Sequence, residues 1–102
     1  MKKVINGKSY NCETAKEIAY ARSDCGKSDF SWWEETLYKK STGEYFLAGE
    51  GGPMSRYSQA SGSNSTIAGS AIVPLTLGEM QLWLEEKSDH DTWVAILGEP
   101  PE

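Results

Sequence analysis

Residues 32–57, WWEETLYKKSTGEYFLAGEGGPMSRY, constrain the fold more than any other stretch. Runs of β-branched and aromatic residues flank Ser41-Thr42-Gly43, and Gly43 stands where a three-residue hairpin loop turns through positive φ. With that loop Lys40 faces Glu44, Tyr38 faces Phe46 and Leu37 faces Leu47. Alternation sends Leu37 and Leu47 to one face of the ribbon and Tyr38 and Phe46 to the other. A strand pair that is apolar on both faces belongs in the middle of a sheet or under cover on both sides.

The flanking segments supply that cover. Val4-Ile5, Asn6-Gly7 and Lys8-Ser9-Tyr10 read as a small hairpin on the strongest two-residue turn signal. Thr14 and Glu17 have capping-box spacing, with Asn11 or Cys12 as other starting points, and Ala15, Ile18, Ala19 and Arg22 fall on one helical stripe. The expectation is a helix near 13–22. Residues 54–60 read as one helical turn or as irregular chain, and residues 61–70, rich in Gly, Ser, Asn and Thr, as a mobile surface loop. Residues 71–75 make a short strand in which Pro74 demands an edge or an end. Thr76 and Glu79 form a second capping box, opening a helix near 77–87 with Met80, Trp83 and Leu84 inward. Asp91 is placed to cap a last turn or two over residues 92–97, burying Trp93 and Ile96 or Leu97. The expected class is α+β: a mainly antiparallel sheet of four or five strands, with the central hairpin at 33–49 and helices near 13–22 and 77–87. With 102 residues there is one core, in a single domain over 1–98 with a tail at 99–102.

Charge is unevenly placed. Net charge is −5, yet residues 1–76 carry +1 and residues 77–102 carry −6, where Lys87 stands alone against seven acids. Non-specific nucleic-acid binding needs clustered Lys and Arg, so sequence-specific DNA binding is not expected. Cys12, Cys25 and a single histidine cannot close a tetrahedral metal site, and both thiols are expected reduced and partly buried. No cofactor is implied. No run approaches a membrane span, and Asn6-Gly7-Lys8 interrupts any leader-like apolar stretch, so a cytoplasmic protein is expected.

Few residues invite chemistry. Gly49-Glu50-Gly51-Gly52-Pro53 lacks the following helix and the Lys-Ser/Thr of a phosphate loop, and reads as a corner at a strand end. Its neighbours Glu50, Arg56 and Tyr57 remain candidates for a recognition patch. His90 sits in an acidic turn without a nucleophile beside it in sequence. Glu34-Glu35 and Glu85-Glu86 are adjacent pairs that point apart on a strand or helix, hence surface residues rather than acid–base dyads. Trp32-Trp33 puts one ring on each side of its strand, so Trp32 is a further candidate contact. Glu85, Glu86, Asp89 and Asp91 form the main candidate surface. Acids at a helix C-terminus oppose the macrodipole by about 0.3–1 kcal/mol each, which invites a functional reason for them.

The words MKKVINGKSYNCETAKEIA, ETLYKKSTGEYFLAGEGGPMSRY and IVPLTLGEMQLWLEE resemble a family of small proteins of plasmids, phages and conjugative elements of Gram-positive bacteria. Its pattern runs MKK-INGK-Y-TETAK, then E-LY-K-TGE-FL-GEGG-S-Y, then IPLT-EEA-WLE. The match covers most of residues 1–86. Cys12 departs from it, since Thr is commoner there, and the segment after Asp89 has no counterpart. The resemblance extends to domains of some anti-CRISPR proteins directed at type II-A effector nucleases, and it carries over no catalytic residue. It implies a non-enzymatic anti-defence protein whose partner is a CRISPR effector nuclease or its guide-RNA complex, met through the acidic surface as a nucleic-acid mimic. The alternative is an accessory or regulatory protein-binding module of a mobile element. A small nuclease is disfavoured by the lack of clustered His or carboxylates.

Overall fold

The computed structural model describes residues 1–26, 28–62 and 65–98. Strands β1 (Lys2–Ile5) and β2 (Lys8–Asn11) form a hairpin. Strands β3 (Lys16–Arg22), β4 (Trp33–Lys39), β5 (Tyr45–Gly51) and β8 (Gly69–Leu75) form an antiparallel sheet in the order β3-β4-β5-β8. Strands β6 (Gln59–Ala60) and β7 (Thr66–Ile67) make a short ribbon, and helices α1 (Leu77–Lys87) and α2 (His90–Leu97) end the chain. The class is α+β.

The central hairpin has the register its loop demands. Leu37 pairs Leu47 and Tyr38 pairs Phe46. Lys40 N donates to Glu44 O at 2.8 Å, and Gly43 turns at φ 93°. Both strands are internal and both faces are covered. On one face Leu37 and Leu47 pack with Met80, Trp83 and Leu84 of α1, and Val73, Leu75, Ala19 and Ala21 flank them. On the other, Phe46 and Ile72 pack under Tyr10 of β2. Phe46 lies edge-on to Tyr10 at 5.5 Å and stacks on Tyr38 at 5.2 Å. Glu44 fastens this small hairpin to the central loop, accepting from Lys8 Nζ at 2.9 Å and Lys40 Nζ at 3.2 Å. Hydrogen bonds from Lys8, Lys40 and Thr42 hold its carboxyl down to about 2.

Residues 13–22 do not form the expected helix. Their capping signal is used on one tight turn, in which Thr14 N and Ala15 N both donate to Asn11 O, and the chain then runs extended as β3. Of the expected stripe, Ala15 packs on the opposite cluster and Arg22 is exposed, and the strand carries a register shift between Glu17 and Ala19. Through it the neighbouring Ile18 and Ala19 both reach the helix-covered core, which strict alternation forbids. A full ladder with β4 outweighs the weak preference of a stripe whose only large member is Ile18.

The remaining corrections are smaller. The strand expected over 71–75 begins at Gly69, and Pro74 does lie on an edge strand. The expected loop over 61–70 contains β7 and the start of β8; residues 63 and 64 lie outside the described residues, as does the expected tail at 99–102. Of the two courses expected for residues 54–60, the irregular one holds over 54–58, which form turns, while residues 59–60 form β6. The second helix starts at its capping box, with Thr76 Oγ1 accepting from Glu79 N and Thr76 N donating back to the Glu79 carboxylate. Asp89, not Asp91, caps α2. Cys12 and Cys25 are half-buried and unpaired. Among the described residues no helix is long and apolar enough to cross a membrane.

Candidate interaction surface

The junction of α1 and α2 is two residues long. Ser88 closes α1, its N–H and Oγ both donating to Leu84 O at 3.0 and 2.6 Å. Asp89 opens α2 by accepting from Thr92 N at 2.8 Å, and that bond holds its carboxyl below the ordinary value. Glu85, Glu86, Asp89 and Asp91 are all exposed along this corner. Asp89 and Asp91 therefore sit at a helix N-terminus, where the macrodipole favours them. The expected electrostatic penalty on them does not exist, and their clustering rests on helix-start chemistry as well as on any partner. Lys87, the one cation of this stretch, has its Nζ 4.3 Å over the Trp33 ring.

Between the helices lies an open, mostly apolar hollow of about 230 Å³. Leu84, Trp93 and Ser88 line it with Glu85, Asp89 and His90. Trp93, Ile96 and Leu97 pack α2 onto the core, so the hollow is backed by the folded body of the protein. Its acids come from two different elements brought together by the short junction. Its volume falls below the ~300–1,000 Å³ usual for small-molecule sites.

A second polar feature lies inside the protein. Glu35, expected on the surface, is 2% exposed. Its carboxylate accepts from Trp83 Nε1 at 3.0 Å and from the Tyr57 hydroxyl, and Arg56 Nη1 reaches it at 3.4 Å. Burial first, and then this hydrogen bond, push the Tyr57 phenol well above its ordinary value. Glycine makes the arrangement possible. Gly49 pairs with Glu35 across the ladder, and a Cβ on Gly49 would run into the Tyr57 ring. Gly51 and Gly52 similarly admit Ser55 and the Trp32 ring. The GEGGP stretch stays in β5 through Gly51, two residues past the expected end of the hairpin, and the corner comes only at Gly52-Pro53; its glycines let residues 52–58 fold back over the sheet. Alternation held the clue to Glu35, because it shares a face with Leu37.

The sequence candidates thus fall in separate places. Arg56 and Tyr57 serve Glu35 on the helix side of the sheet. Glu50 lies on the other side, in register with Glu34 and Ser70, so it does not join them in one patch. Trp32 and Trp33 are both half-buried, and Trp32 lines a hollow of about 330 Å³ together with Glu50, Gln59 and Ser70. His90 has its Nδ1 3.5 Å from Asp91 Oδ1, both fully in the open at the start of α2. Among the described residues no group of three or more His, Cys, Asp or Glu is placed to hold a metal ion. Compared with known proteins, the chain matches no family model, no curated protein and no solved structure.

Proposed function

We propose that this chain is a non-enzymatic anti-defence protein that binds a CRISPR effector nuclease, or that nuclease's guide-RNA complex, through the acidic α1–α2 corner. One observation carries the reading: Glu85, Glu86, Asp89 and Asp91 stand exposed around a two-residue helical junction while the rest of the chain carries near-balanced charge. Nucleases of this kind hold nucleic acid in positively charged channels, and a group of exposed carboxylates presents the sign of charge such a channel accepts. Binding of this type is steered by long-range attraction, so association should slow steeply with added salt while dissociation changes less. The sequence resemblance to domains of anti-CRISPR proteins supports the choice of partner. The direct experiment is a plasmid-interference assay in cells carrying a type II-A system, with and without this protein. Restored plasmid transformation is the expected result; interference at full strength in the presence of soluble protein refutes the reading.

A further inference from the structure

The hollow between α1 and α2 carries more information than its charge. We infer that it is an anchor pocket for a single arginine side chain of the protein partner, an inference that rests on reading this corner as the binding surface. Leu84 and Trp93 are its apolar lining, and Glu85 and Asp89 are the acids that line it, Asp89 also accepting from Thr92 N. That combination suits a side chain with a hydrocarbon stem and a cationic head. A neutral apolar side chain would leave the carboxylates unanswered, and an anionic one would be repelled. Of the two long cations, arginine is the better match. Its guanidinium is planar and weakly hydrated, stacks on aromatic rings and grips carboxylates with a fork of donors. The hollow has room for roughly seven or eight waters at about 30 Å³ each, enough for one long side chain and too small for a usual cofactor. Surfaces evolved to hold phosphates present arginine for the same reason, so the occupant agrees with the class of partner.

Asp89 is tied to helix backbone at Thr92 N and its neighbour Ser88 at Leu84 O, so this one carboxylate needs little ordering when the cation arrives.

The test uses the ¹⁵N-labelled full chain and three capped tripeptides, Gly-Arg-Gly, Gly-Lys-Gly and Gly-citrulline-Gly. The expected result is saturable shifts of the amides of Glu85, Ser88, Asp89 and His90 and of the Trp93 indole with the arginine peptide. Citrulline, which keeps the shape and loses the charge, should bind at least tenfold more weakly, and lysine several-fold more weakly. Glu85→Gln with Asp89→Asn should lower arginine affinity at least fivefold, and Asn still caps the helix, so folding is retained. Absent shifts at the hollow, or equal binding of citrulline, overturns the pocket; equal binding of lysine overturns the choice of arginine. The titration contains no nuclease. Arginine binding without protection from interference would therefore sink the proposed function and leave the pocket standing, and the reverse result would do the opposite.

Discussion

The protein holds its carboxylates in two opposite ways. At Glu35 a single charge is buried and answered entirely by the chain itself, through Trp83, Tyr57 and Arg56. At the α1–α2 corner four charges lie in water, and of these Asp89 has a local structural task as a helix cap. A buried carboxylate is costly unless every oxygen is engaged, so Glu35 tolerates no loss of a partner. An exposed carboxylate contributes little to stability and remains available to something outside. The contrast separates charge that serves the fold from charge that is free to serve binding, and substitutions at the two regions should sort accordingly.

The largest effect is expected at the buried site. Glu35→Ala leaves the Trp83 indole and the Tyr57 hydroxyl buried without an acceptor and should cost about 3–5 kcal/mol in denaturant unfolding. A loss below about 1 kcal/mol would show that water reaches these groups. Gly49→Ala comes next. Its methyl group displaces the Tyr57 ring, and a cost of about 1–3 kcal/mol is expected, accompanied by exposure of Tyr57 to nitration or quenching. An unchanged melting midpoint would mean that the corner yields without strain.

At the acidic corner the effects on stability shrink. Asp89→Ala should cost about 0.5–2 kcal/mol through the lost cap, and Asp89→Asn only a few tenths, since its amide oxygen still accepts from Thr92 N. Equal costs would show that charge rather than capping holds α2. Glu44 sharpens the comparison from between the two extremes, being half-buried and engaged by Lys8, Lys40 and Thr42. Its folded-state value of about 2 lies below the ordinary 4.5, so its stabilisation is present above pH 4.5 and disappears as pH falls through about 2. Glu44→Gln should flatten the acid unfolding curve in that window, and an unchanged curve would show that the clamp between the two hairpins contributes nothing.

These regions differ as well in how far they can be read from sequence. The central hairpin is local, and its loop chemistry and alternation determine the register from Leu37 to Leu47. The capping box at Thr76 is equally local, and α1 begins where it says. Residues 16–22 mislead because a bulge puts the adjacent Ile18 and Ala19 on one core and so breaks strand alternation, and the ladder that decides the matter comes from β4, beyond any window of local pattern. Alternation places Glu35 on the core face with Leu37, but its partners are beyond local pattern for a related reason. Its hydrogen-bond partners lie 22 and 48 residues away, and only the assembled fold brings them to it. The acids of the α1–α2 corner could be seen as a composition bias, whereas the hollow they border depends on how Trp93 packs against α1.

The central claim is that the exposed corner binds while the buried carboxylate only holds the fold. Its most direct test replaces Glu85, Glu86 and Asp91 by lysine and Asp89 by asparagine, which keeps the cap, and scores the variant for cooperative unfolding and for protection in the plasmid-interference assay. The expected result is a folded protein that has lost its protection. A folded variant with full protection would contradict it.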